Sequence, residues 1–245
     1  MAVREPDRTL RDDSEIYGGL IVFFSRVKLR NDAAYEKEFW NHIGGAYKLH
    51  SLVWDLFTDG PERSRDFIYR QDLVEGLPAF YCVSEREPND RHGVWHVETK
   101  PYAPVIKKDQ RLSFMLRANP IRSKRDDQNK QHRHDVVMEA KTLLKQRQAE
   151  RPPEPEIIQQ AGFVWLAMKG EANGYSVHEG EVRADGYAQH RFTKPKGKHS
   201  VSLSTIEFTG LLTVTDPDLF VQTLYRGLGP AKGFGCGLLM VRPAR

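Results

Sequence analysis

Between residues 111 and 242 the spacing of apolar side chains changes period in a set order, and that order limits the fold more than any other feature of the chain. Residues 111–119, RLSFMLRAN, alternate, with Leu112, Phe114 and Leu116 on one face, as a half-buried strand does. Residues 156–168 repeat at the helical period, with Ile157, Ala161, Val164, Trp165 and Met168 on one side. Residues 187–193 and 201–213 read as two strands rich in branched and aromatic side chains. Asp216-Pro217 then opens a helix, with aspartate as N-cap and proline at the first helical position. Phe220 and Leu224 line its apolar side, and Gly227 is placed to end it. Residues 237–242, GLLMVR, close the chain as a short strand. Strand, helix, strand, strand, helix, strand is the βαββαβ order of the ferredoxin-like fold, which is also the architecture of RNA-recognition motifs.

The first half starts in the same way. Residues 20–29, LIVFFSRVKL, are strand-like, and residues 47–57, YKLHSLVWDLF, form a helical face from Leu49, Leu52, Val53, Leu56 and Phe57. Residues 66–73 and 77–85 read as two strands around a turn containing Glu75-Gly76. Residues 90–104 carry proline and glycine and show no period, so they read as irregular, with a domain boundary near their end. A polar helical piece begins near Lys141 and stops at Pro152-Pro153. The expectation is an α+β chain of two tandem ferredoxin-like (RRM-like, βαββαβ) domains. Residues 1–19 would be a flexible tail, 20–106 an N-terminal domain carrying the 47–57 helix, and 107–245 a C-terminal domain.

Charge is unevenly spread along the 245 residues, whose formal net charge is +4. Residues 117–133 contain six cations, Arg117, Arg122, Lys124, Arg125, Lys130 and Arg133, against the two acids Asp126 and Asp127. Residues 190–199, with Arg191, Lys194, Lys196 and Lys198, contain no acid at all. A single basic run is as readily a solvated loop as a binding segment, but two acid-poor runs in one modest chain favour a phosphate-bearing partner. No apolar run approaches the roughly 18 residues of a membrane helix, and the polar start is not a secretory signal. Cys82 and Cys236 form no CxxC pair, which argues against a disulfide framework or a zinc site and fits a reducing cytoplasm. No spacing of histidines and carboxylates suggests a metal or another cofactor.

Five glycines lie between Gly227 and Gly237, with Lys232 among them. A P-loop would need GxxxxGK[ST] between strand and helix, whereas Lys232 precedes Gly233 and the segment joins a helix to the last strand. A dinucleotide fingerprint would open a helix, and too little chain remains for one. A plain helix-to-strand connection explains one or two glycines. The functional alternative is close backbone approach to a polyanion, with amides free to face phosphates and Lys232 adding a point charge.

Tyr47 and His50 stand three residues apart on the expected helix, about 60° apart around its axis. Both point away from the apolar face. The bland reading is a half-exposed pair on a helix flank. The chemical reading is RNA cleavage without a metal. RNA supplies its own nucleophile, the 2′-hydroxyl. An imidazole can take that proton or protonate the leaving 5′-oxygen, and a phenol can hold the 2′-oxygen or a phosphate oxygen.

Three motifs, GLGPAKGFGCGLLMV, FMLRANPIR and YKLHSLVWDLF, occur here in one order. Together they resemble the CasE-type CRISPR repeat endoribonucleases of type I-E systems. The resemblance runs from about Phe23 to Pro243 and implies catalytic roles for Tyr47 and His50. Some family members add a nearby lysine, but the helix after His50 offers Ser51 and Asp55 and no lysine. The implied activity is cleavage of pre-crRNA at the 3′ base of the repeat hairpin, giving a 2′,3′-cyclic phosphate or 3′-phosphate and a 5′-hydroxyl. The implied partners are the crRNA hairpin and the other subunits of Cascade, of backbone and small-subunit type. Expected RNA contacts are Arg117, Asn119, Arg122, Lys124, Arg125, Lys130, Arg133, Arg191, Lys194, Lys196, Lys198, Gly229, Lys232, Gly233, Gly235 and Gly237. Two other readings stay open: a module that holds guide RNA without cutting it, and a general RNase unrelated to CRISPR.

Overall fold

The computed structural model describes residues 21–32, 52–57, 65–148, 150–193 and 200–244. It is a mixed α+β chain with antiparallel sheets. In the first half β1 (Phe23–Leu29), β2 (Phe67–Val74), β3 (Leu77–Ser84) and β4 (Trp95–Pro101) form one sheet in the order β2-β3-β1-β4. Glu75 and Gly76 both have positive φ, 55° and 80°, and Val74 pairs with Leu77 across them. That is a two-residue hairpin turn whose twist matches its strands.

The strand β4 corrects the reading of residues 90–104 as irregular. Only Trp95 at its start is fully buried, its ring 5.4 Å from that of Phe80. Of the rest only Val97 is apolar and half-buried against the core, and His96, Glu98, Thr99 and Lys100 are polar, so the apolar signal is weak although pairing with β1 runs from Leu29↔Trp95 to Phe23↔Pro101. The Asp90 carboxylate accepts from the amides of Val94 and Trp95 and starts the strand. Residues 85–94, between β3 and β4, contain no helix.

In the second half β5 (Arg111–Ala118) leads into a hairpin of β6 (Ile121–Arg125) and β7 (Gln131–Asp135). Two helices follow, α1 (Val136–Gln146) and α2 (Glu154–Gly170), then β8 (Tyr175–Ser176), β9 (Val182–Thr193) and β10 (Ser200–Val214). The last elements are α3 (Pro217–Arg226) and β11 (Leu239–Pro243). The sheet order is β11-β5-β10-β8, with β9 also on β10. The last helix agrees closely with its sequence signals. Asp216 accepts from the Leu219 amide, Phe220 and Leu224 are fully buried, and Gly227 ends the helix at φ 72°. On α2 the buried side is Ile157, Gly162, Trp165 and Leu166, while Val164 and Met168 are exposed. The expected helical face was therefore rotated by the two apolar residues that point outward. The helical piece expected near Lys141 is α1, and it starts earlier, where Asp135 caps the amides of Val137 and Met138.

Each half has its own core. Val27, Phe67, Tyr69, Phe80 and Trp95 enclose the first, with Val53, Leu56 and Phe57 packed on it. Leu112, Leu116, Trp165, Phe208, Phe220 and Leu224 are among the residues of the second. A third cluster joins the halves: Val22, Ile68 and Val83 pack on Leu238, with Tyr225 and Met240 against them. Beside it Arg70 bonds Asp72 on its own strand and Glu207 on β10 at 3.0 Å. Arg117 bonds the same Glu207 and donates to the Gln71 carbonyl at 2.7 Å.

Candidate functional site

The glycine segment folds back on the protein itself. Gly227, Gly229, Gly235 and Gly237 all have positive φ. A β-carbon on Gly235 would lie 3.3 Å from the Tyr69 ring, and one on Gly229 would lie 3.2 Å from Trp165. Tyr69 donates its hydroxyl hydrogen to the Gly233 carbonyl at 3.1 Å. The close backbone approach expected of these glycines is thus made, in this structure, to side chains of both halves. Gly235 and Gly237 are buried, whereas Gly229, Lys232 and Gly233 are half-buried and reachable.

Trp165 ties this segment to the basic hairpin, its indole nitrogen donating to the Ile121 carbonyl at 3.1 Å. On its other side lies Lys169, with Nζ 5.9 Å from the ring centre. A cleft of about 420 Å³ opens here, lined by Ile121, Arg122, Ser123, Arg133, Trp165, Met168, Lys169 and Pro230. Three of these are cations and none is a carboxylate. Among the described residues the one side-chain hydrogen bond of Arg122 goes to the Met168 sulfur, at 3.3 Å. Such a cleft concentrates positive potential that nothing within it neutralises.

The sequence-predicted residues therefore separate. Arg122 and Arg133 come together in the cleft, with Pro230 of the glycine segment. Lys124, Arg125 and Lys130 lie along the β6–β7 hairpin and its turn, where Lys124 is paired with Glu139 and Arg125 with Asn129. The basic loop read from the sequence is thus a paired hairpin, with registers from Ile121↔Asp135 to Arg125↔Gln131. Arg191 is exposed on β9. Arg117 is held between Glu207, Asp72 and Gln71. Asn119 is buried and donates its amide to the Ser204 carbonyl at 2.6 Å. Neither side chain lines the cleft. Tyr47, His50, Lys194, Lys196 and Lys198 lie outside the described residues, as does the expected tail 1–19. Lys169 escaped the sequence reading because it is a lone cation at a helix end; only the fold brings it to Arg122 and Arg133.

Among the described residues no group of three His, Cys, Asp or Glu side chains is placed to hold a metal ion, and no helix is long and apolar enough to cross a membrane.

Known proteins resemble the chain over most of its length. A family model described as CRISPR associated protein matches residues 22–243. The CRISPR system Cascade subunit CasE of Escherichia coli (strain K12) is 29% identical over 202 residues, covering 80% of this chain and 92% of that protein. The CRISPR-associated endoribonuclease Cse3 of Thermus thermophilus is 28% identical over 217 residues, covering 82% and 92%. The structure of Thermus thermophilus Cse3 bound to an RNA representing a pre-cleavage complex superposes with a TM-score of 0.65 at 24% identity, over 91% of this chain and 100% of that one. That likeness is one of fold. The family resemblance read from the three sequence motifs is met: the chain belongs to the CRISPR-associated protein family, in the company of CasE and Cse3.

Proposed function

We propose that the chain is an endoribonuclease that binds a CRISPR repeat hairpin and cuts pre-crRNA at the 3′ base of the stem, then keeps the crRNA as a subunit of Cascade. It would work in the cytoplasm. The observation that carries the RNA reading is the acid-free cleft of Arg122, Arg133 and Lys169 beside the glycine segment. The likeness to the endoribonuclease Cse3 supports the activity, and that to the Cascade subunit CasE supports the place in Cascade. A folded RNA stem is read mainly by shape and backbone, which arginine and lysine clusters serve. The strand order also supports two ferredoxin-like units, the first departing from the expected βαββαβ pattern in having no helix between β3 and β4. In each half the sheet runs last strand, first, third, second once β9 is taken as the second strand of its half.

Cleavage is assigned to Tyr47 and His50. The 2′-oxygen attacks phosphorus, the P–O5′ bond breaks, and a 2′,3′-cyclic phosphate and a 5′-hydroxyl result. One proton leaves the 2′-hydroxyl and one reaches the departing 5′-oxygen; an imidazole serves either transfer. No metal is required by this scheme. The test is cleavage of the repeat hairpin with EDTA present, by wild type and His50→Ala. Wild type should cut, and the variant should lose cutting while its Kd stays within a few-fold. A wild type that binds without cutting would instead make the chain a holder of guide RNA. Equal cutting of a scrambled hairpin would make it a general RNase.

A further inference from the structure

A second cleft, of about 530 Å³, meets the glycine segment at Lys232, between the two halves. Its floor is apolar, with Val22, Ile68 and Val83. Three cations from three separate pieces of chain reach it: Arg65 just before β2, Arg226 at the end of α3, and Lys232 in the glycine segment. Among the described residues none of the three makes an ion pair. Of the two carboxylates on its wall, Asp66 is taken by Arg86 through two hydrogen bonds of 2.6 and 2.9 Å. The other, Glu85, is exposed at the rim and pairs with no cation among the described residues. Partial desolvation at the cleft lowers the pKa of Arg65, whose side chain still reaches solvent, and of Lys232, and the charges of Arg65 and Arg226 lower that of Lys232 further. The protein thus gathers like charges here at a cost to itself, which an anion in the cleft would relieve.

We infer that this cleft binds the phosphate backbone of a single-stranded RNA segment flanking the hairpin, through Arg65, Arg226 and Lys232. The inference rests on the RNA reading above and adds a second site to it. The volume falls in the range of small-molecule sites, enough for a nucleotide unit and too little for a double helix. The position suits continuity. Pro230 lines the first cleft and Lys232 the second, and two residues of chain span at most about 7 Å. A strand leaving the first cleft at Pro230 therefore has only a short distance to run to reach this one at Lys232.

Arg65 and Arg226 are both exposed, so Arg65→Ala/Arg226→Ala leaves the folding cores intact. Its Kd is measured, over a range of salt, for a bare repeat hairpin, the same hairpin with single-stranded flanks, and a flank oligoribonucleotide alone. The double variant should lose about 10-fold on the flanked hairpin and on the oligonucleotide, less than about 2-fold on the bare hairpin, and about 1.4 of the salt slope on flanked RNA. Equal loss on bare and flanked hairpins would overturn the inference, as would no loss on either. Inorganic phosphate or a nucleoside monophosphate that binds as tightly as the oligonucleotide would show a free-phosphate site and overturn it too. If wild type prefers no repeat hairpin over a scrambled one, the repeat reading fails, while the oligonucleotide arm still decides for or against the cleft.

Discussion

At the scale of the residue, the glycines show how one sequence feature serves packing first. A β-carbon on Gly227 would stand 2.8 Å from the Gly237 carbonyl oxygen and 2.9 Å from Ile68 Cδ1, at a φ of 72°. Gly76 has a similar φ of 80° and nothing within 4 Å of its β-carbon position. The pair separates backbone strain from crowding. Gly76→Ala should cost about 1 kcal/mol. Gly227→Ala should cost about 3 kcal/mol, because the collision involves backbone as well as φ. Thermal unfolding checks this, with a Tm lowered by roughly 6–12 °C in the second case. A Gly227→Ala variant as stable as Gly76→Ala would mean the segment can move aside. The sequence marked this segment as unusual, but its contacts are not local: Tyr69 and Gly233 are 164 positions apart. Spacing arguments read neighbours on one element, so the packing of these glycines on Tyr69 and Trp165 had no signal in the sequence.

At the scale of the element, the β6–β7 hairpin and α1 follow from side chains that satisfy backbone donors. In the turn, Asp126 accepts from the amides of Gln128 and Lys130 at 3.0 and 2.8 Å and meets the His132 ring at 2.6 Å. The His132 hydrogen bond, then the Lys130 amide, hold its carboxyl below the usual aspartate value. A carboxyl with a lowered folded pKa stabilises the fold above its unfolded pKa, and that contribution fades as pH falls through the folded value. Followed by NMR, the Gln128 and Lys130 amide shifts should titrate with a midpoint below that of an ordinary aspartate. His132→Ala should raise the midpoint, and an unchanged midpoint would remove His132 as the main cause. This hairpin was legible as charge and invisible as structure. Its strands QHRHD and IRSKR have almost no buried side chain, so the alternation that reveals strands was missing. The last helix was legible in full because cap, apolar face and terminating glycine all lie within twelve residues.

At the scale of the whole molecule, the junction between the halves is held by charge as well as by apolar packing. Glu207 on β10 receives Arg70 from the first half and Arg117 from the second, and Arg117 reaches on to Asp72 at 3.7 Å. The Arg70 side chain is only 8% exposed and that of Glu207 29%. Removing one member of a buried ion group strands the other without its partner, which costs more than the group was worth as a whole. Glu207→Ala should therefore destabilise by about 3 kcal/mol. Urea unfolding should show this as a lower midpoint at unchanged slope. If the loss comes from the Arg70 charge, left with Asp72 alone, Arg70→Met in the Glu207→Ala background should recover part of it, whereas Arg70→Met alone should destabilise. A double variant that loses the sum of the two single losses would show the residues to be independent and the junction to rest on Ile68, Val83 and Leu238 instead. The consequence reaches the proposed RNA sites. Arg117 on one side of this group and the glycine segment on the other fix how β2 meets the second half, and β2 begins two residues after Arg65. A loosened junction should thus weaken binding of flanked RNA more than binding of the bare hairpin, even though Glu207 lines neither cleft.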